Sequence, residues 1–304
     1  MLEMKSESQK SAKSRKLVYA TIIVIAVLIS AALLFYSYPY QHSLPKAAII
    51  DQLSSSKLSA ISRYQNQTFI AEAQELLHAR FLQVDYYSDN ATVDSYKSLP
   101  SLGYKLIIWR AHSALDLKSQ YVAISTSERS GSRNYDQYSS DQLTLCNITG
   151  DPRLYFAITP KFVEECMEGR FEDTVIILMS CNGLKSEYGK TAEAFIQKGA
   201  KIFVSWDGWI DSSDNDNAIT LFLQCLIVQN STIREAVAQT PKYDSPLYGS
   251  SKLDYYPRGE GADFRIPDYR GNNTASSAGF VLAPINRKIR ATSVGNQRLG
   301  QSLD

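Results

Sequence analysis

The chain has 304 residues, a mass of 34.0 kDa and a formal net charge of +1, from 32 basic against 31 acidic side chains. That length accommodates one generous domain with an extension, and the even charge balance offers no basic surface for nucleic acid. The hydrophobic fraction of 44% is ordinary, and the 4 cysteines (Cys146, Cys166, Cys181, Cys225) form no CxxC pair, which removes zinc-ribbon and thioredoxin readings.

Residues Leu17 to Tyr36 are uncharged and almost wholly apolar. Their length matches the ~20 residues that cross a bilayer as a helix and exceeds the roughly 7–15 residues of a signal-peptide core. We read 17–36 as an uncleaved signal anchor, with cleavage after Ser30-Ala31-Ala32 as the alternative. Lys5, Lys10, Lys13, Arg15 and Lys16 lie in the tail 1–16, whereas only Lys46 follows the span before the fold begins. The positive-inside rule then puts the N-terminus in the cytoplasm and the large domain outside a cell membrane. N-x-S/T sequons at Asn66, Asn90, Asn147, Asn230 and Asn272 agree with that side as glycosylation candidates. An oxidising exterior permits a disulfide, for which Cys146–Cys166 is the candidate.

After the extended linker 37–46, Ala47 to Asp51 reads as a strand and Ser54 to Lys57 as a polar loop. Asn66 to Arg80 has helical spacing, with Phe69, Ala73, Leu76 and Leu77 on one face. A strand at Leu82–Tyr87, a short helix at Thr92–Leu99 and a strand at Leu106–Trp109 follow. Strand, helix, strand, helix, strand is the order of a parallel sheet with right-handed crossovers. A long insertion carries strands at Tyr121–Ser125 and Leu154–Ile158 around the polar stretch Glu128–Asp141, then a helix from Thr159-Pro160 through Met167. Glu128, Glu164 and Glu165 read as solvated charges. Val175 to Met179 is a short, continuous apolar run with β-branched residues, the pattern of a strand buried on both faces. A helix at Thr191–Lys198 is closed by Gly199, and Lys201–Trp206 is the next strand. Helices follow at Asn217–Val228, with Cys225 as a core filler, and at Thr232–Gln239, with Ser231 as its cap. Leu253–Pro257 and Phe264–Pro267 form a late hairpin or edge strand. The domain runs over 47–285, and 286–304 is a flexible tail.

Two apolar strands each end in one reactive residue: Leu106-Ile-Ile-Trp-Arg-Ala-His112-Ser113 and Val175-Ile-Ile-Leu-Met-Ser-Cys181-Asn-Gly183. Catalytic groups of open α/β sheets gather at the carboxyl edge of the strands. If the two strands are parallel neighbours, a base faces a thiol there. The order also separates possibilities, because papain-like enzymes, amidotransferases and α/β-hydrolases place the nucleophile before the histidine. Here no histidine follows Cys181, and His42 and His78 have no comparable setting.

This pair of blocks resembles the caspase-like cysteine peptidases of clan CD, closest in pattern to CHAT and gingipain-like domains. The likeness extends from about Ala47 to Gln239 and includes the strand Gly199-Ala-Lys-Ile-Phe-Val204, the long helix after it and Thr232–Val237. The resemblance implies a three-layer α/β/α fold and a thiol protease without cofactor or metal, acting on a polypeptide. Cys181 would be the nucleophile and His112 the general base and acid. The backbone N–H groups of Ser113 and Cys181 would meet the oxyanion. Trp206, Asp207 and Trp209 are candidates for a substrate pocket, an acidic wall there favouring Lys or Arg; Asp207 capping a turn before Gly208 is the alternative. The sequence departs from the family at Ser113, where most members carry glycine. That serine is compatible only with a negative φ or a supported strain. The second reading of the chain is therefore an inactive caspase-like surface binding or scaffold module.

Overall fold

The computed structural model describes residues 21–30, 45–58, 64–136, 138–139, 141–148, 150–259 and 261–270. Of the apolar run 17–36, residues 21–30 are described; they are helical, with Ile22, Ile23, Val24, Ile25, Val27, Leu28 and Ile29 exposed. Among the described residues no helix is long and apolar enough to cross a membrane. The remainder of that run, the tail 1–16, linker residues 37–44, the sequon at Asn272 and the tail 286–304 lie outside the described residues.

The chain is mixed α/β. Its main sheet is built from β1 (Lys46–Asp51), β2 (Gln83–Tyr87), β3 (Tyr104–Arg110), β8 (Thr174–Met179), β9 (Ala200–Trp206) and β12 (Leu253–Tyr256). The order is β12-β9-β8-β3-β1-β2; all neighbours are parallel except β12, which is antiparallel to β9. Four segments rich in β-branched residues thus pair at the centre. β8 is buried at every position because it is covered twice. Val175, Ile177 and Met179 enter one core, and Ile176 and Leu178 enter the other. That double cover is why the sequence shows a run instead of alternation.

The first core packs beneath α1 (Gln67–His78), α4 (Ser212–Leu223) and α5 (Ile233–Gln239). α1 inserts Phe69, Ile70, Ala73 and Leu77, each large apolar side chain worth about 1.5–3 kcal/mol when fully buried. Asn66 caps α1 by accepting the Phe69 N–H at 3.1 Å. α5 begins with a capping box in which Thr232 and Glu235 bond each other's backbone. The cap is therefore Thr232 and not Ser231, because the box needs Glu three residues on. The other core is closed by α2 (Val93–Ser98), α3 (Lys190–Gln197) and a second sheet.

The second sheet is antiparallel, ordered β4-β5-β7-β6, from β4 (Ser113–Asp116), β5 (Tyr121–Arg129), β6 (Leu143–Ile148) and β7 (Asp151–Ile158). The inserted segment is thus a sheet of its own, and β6 carries no strong sequence signal because Thr144, Leu145 and Asn147 face outward or lie half-exposed. The expected helix over Thr159–Met167 narrows to a short helical start and a π turn at Phe162–Cys166. The late hairpin is β10 (Tyr243–Ser245) with β11 (Gly249–Ser251); Phe264–Pro267 is not a strand. Glu128 is not solvated: it is 6% exposed, accepts the Val93 N–H and the Tyr135 hydroxyl, and so ties α2 to the second sheet.

Cys146 and Cys166 are both free thiols. Cys146 points into a small core with Leu53, Tyr64 and Tyr155, whereas Cys166 packs on the core under α3. The two side chains enter different cores, so the expected bridge is not formed. Cys225 is 1% exposed within the first core, as its apolar neighbours implied.

Candidate active site

β1, β3 and β8 end on one line. Asp51 pairs with Arg110, and Arg110 with Met179. His112 and Cys181 each lie two residues past that shared rung, at the carboxyl edge of adjacent parallel strands. The last rung, from the Ala111 N–H to the Met179 carbonyl, measures 3.4 Å. Beyond it the Ser113 hydroxyl donates to the Cys181 carbonyl at 2.6 Å, so the two segments stay joined after both leave the sheet.

His112 bridges the two sheets. Its N–H donates to Gln52 Oε1 at 3.1 Å, and its carbonyl accepts the Ser125 N–H of β5 at 2.9 Å. Gln52 is fully buried and its Nε2 donates to the Thr126 carbonyl at 3.2 Å, so one side chain fixes His112 and β5 together. The imidazole meets the ring of Tyr64 edge-on, with centroids 4.8 Å apart and planes at 86°. Gln52 and Tyr64 are site residues that the sequence did not single out; nothing about an isolated Gln or Tyr in a loop signals a role.

Ser113 is absent from the residues with positive φ, so glycine is not needed there. The bond from Ser125 N–H to His112 makes Ser113–Ile124 a non-hydrogen-bonded pair of the antiparallel ladder. The Ser113 N–H is thereby directed away from β5, and β4 is the edge of its sheet.

Cys181 is half-buried and opens a turn in which Asn182 takes the left-handed conformation, φ 60°. The Asn182 N–H donates to the Gly208 carbonyl at 2.7 Å and the Leu184 N–H to the Trp206 carbonyl at 2.9 Å, which docks the turn on β9. The Cys181 thiol donates to the Ile210 carbonyl at 3.4 Å, and the Ile210 N–H returns to Sγ at 3.5 Å. Burial pushes the Cys181 thiol above its ordinary value; the Ile210 N–H pulls it down, and the Asp211 charge pushes it up again. Burial thus disfavours the thiolate form of Cys181.

Asp211 caps α4 by accepting the Ser213 N–H at 3.0 Å. Asp211→Asn keeps a good cap and removes the charge, so we expect the pH profile of Cys181 alkylation to move to lower pH. A profile unmoved in the variant would mean that Asp211 does not set the thiol.

Of the pocket candidates, Trp206 is fully buried and its indole donates to Asn215 Oδ1 at 2.9 Å; it belongs to the core and lines no cleft. Asp207 accepts the Lys252 N–H at 2.8 Å and so clasps the chain between β11 and β12. Trp209 is half-buried beside Tyr248 (centroids 4.4 Å) and Tyr243 (5.8 Å), with Tyr248 60% exposed. Burial pushes the Tyr243 phenol up, and the charges of Asp214, Asp211 and Cys181 add to this.

Among the sequons, Asn90, Asn147 and Asn230 are exposed. Asn66 is engaged at both ends, capping α1 and donating from Nδ2 to Asp216 Oδ2 at 3.0 Å, so the atom that would carry a glycan is occupied in the fold.

A thiol and an imidazole thus lie just past the carboxyl ends of the neighbouring parallel strands β8 and β3. Compared with known proteins, the chain matches no family model and no curated sequence.

Proposed function

We propose that this chain is a membrane-anchored, extracytoplasmic cysteine endopeptidase, with a three-layer caspase-like domain and a His112–Cys181 dyad. The observation that carries the reading is the register: Arg110 opposite Met179 on adjacent parallel strands, with the two reactive residues each two positions beyond. A single basic tail ahead of an apolar run of 20 residues supports the tether.

In the proposed reaction the Cys181 thiol gives its proton to His112 as sulfur bonds to the scissile carbonyl carbon. The negative oxygen is met by the Ser113 and Cys181 N–H groups. The C–N bond then breaks, and His112 passes the proton to the leaving amine. Water, deprotonated by His112, cleaves the thioester to release the acid and restore the thiol. Trp209, next in the chain to the Ile210 backbone that bonds the sulfur, offers an apolar wall with Tyr243 and Tyr248.

The second reading, a binding module of the same fold, is favoured by one observation: the sulfur is bonded on both sides by Ile210 and its thiol is pushed up. Alkylation of the full chain by iodoacetamide, followed by peptide mass mapping, separates the two. The peptidase reading expects Cys181 to react faster than half-buried Cys166, and His112→Ala to slow Cys181 by ~10-fold or more, in keeping with the size of general-base assistance. Equal, slow labelling of both thiols would assign the module.

A further inference from the structure

Arg110 is the last residue of β3, two residues before His112, and is 1% exposed. Its Nε donates to Asp216 Oδ1 at 2.7 Å and Nη2 to Asp216 Oδ2 at 2.8 Å, a bidentate clasp on α4. Nη1 donates to Asp51 Oδ1 at 2.9 Å, at the end of β1. Nη2 also donates to the Tyr64 main-chain carbonyl at 2.6 Å, just before α1. One planar fork therefore joins three elements, which a lysine point charge cannot do.

Burying a guanidinium with two carboxylates adds little stability over apolar packing of the same volume. What the cluster does supply is position. Asp51, fully buried, also accepts the Ser54 N–H, and Asp216 receives the Asn66 amide, so every partner of the guanidinium is itself held. The one partner that faces the dyad is Tyr64, whose ring lies edge-on against the His112 imidazole.

We propose that Arg110 is a positioning residue for His112: its guanidinium pins the Tyr64 carbonyl, and the Tyr64 ring sets the plane of the imidazole. This rests on the dyad reading for its functional meaning, but the coupling from Arg110 to His112 is a physical property that can be read without turnover.

The test uses the full chain with ring-¹³C histidine, the His112 signals being assigned by their loss in His112→Ala; His42 and His78 serve as internal references. Tyr64→Leu removes the ring and shifts the His112 signals. Arg110→Lys keeps the charge, loses the fork, and is expected to shift the same signals, with the double variant showing less than the sum of the two. In parallel, Arg110→Lys should slow iodoacetamide alkylation of Cys181 by about tenfold, the scale of a misplaced reacting group, while near-UV circular dichroism stays native. A folded Arg110→Lys with unmoved His112 signals overturns the proposal. If that variant does not fold, Asp216→Asn decides: His112 signals moving in the direction seen for Tyr64→Leu support the proposal, and unmoved signals end it. Failure of the dyad reading shows separately, as alkylation of Cys181 indifferent to His112→Ala.

Discussion

Arg110→Met is expected to destabilise the fold by about 3–5 kcal/mol, the cost of removing one partner from a buried ion cluster. The variant leaves the Asp51 and Asp216 carboxylates, 0% and 3% exposed at their side chains, facing each other with no cation between them. The methionine fills much of the volume, so the loss is electrostatic and not a cavity. Denaturant melts read it directly. The pH dependence has a definite sign. Burial already pushes the Asp216 carboxyl up, and Arg110 pulls it down. Without Arg110 the folded state holds that proton still more tightly than the unfolded chain does. A raised folded value means that folding is favoured in acid and disfavoured as pH rises. The deficit should therefore be full above the raised value and shrink as pH falls through it toward the ordinary 3.8. A deficit that is flat from neutral to acid pH would show that the cluster's charges do not govern it.

Gly183→Ala is expected to cost about 1–3 kcal/mol as an overpacked site and to displace the Cys181 turn. A Cβ there would sit 2.1 Å from Ser205 Oγ, 2.6 Å from Ser205 Cβ and 3.2 Å from Leu178 Cδ2. The Ser205 hydroxyl cannot swing aside freely, since it donates to the Leu178 carbonyl at 2.7 Å inside the sheet. The positive φ of this turn belongs to Asn182, so Gly183 is required for space, not for conformation. A second substitution separates the contributions. Ser205→Ala removes the nearest atom but leaves its Cβ too close, and is expected to rescue in part; Ser205→Gly should rescue further. Thermal melts and the Cys181 alkylation rate, measured on the same variants, check both effects. Wild-type values in Gly183→Ala would show that β9 yields there.

Gly183 also illustrates what a sequence can carry. The strand before it, β8, was readable as doubly covered, because that pattern depends on neighbours in the chain. The alternation of strands and helices up to β3 was equally readable, through spacing and capping. β6 was not, since half its residues face outward and its partner β7 lies across a turn. The cap of α5 was placed one residue early because Ser231 and Thr232 are chemically alike, and only the reach of Glu235 chooses between them.

By itself, the sequence determined the βα order, the residues of the buried strands and the presence of one histidine and one cysteine just past two of them. Those features are local, written in hydrophobic period and turn chemistry. Only the tertiary structure decided that β3 and β8 are adjacent, parallel and in register at Arg110 and Met179. It alone sent Trp206 into the core, sent Cys146 and Cys166 to different cores, and gathered Asp51, Tyr64 and Asp216 around Arg110. The physical reason is sequence separation: pairing between residues tens of positions apart is set by the packing of whole elements, and no short stretch of chain contains it.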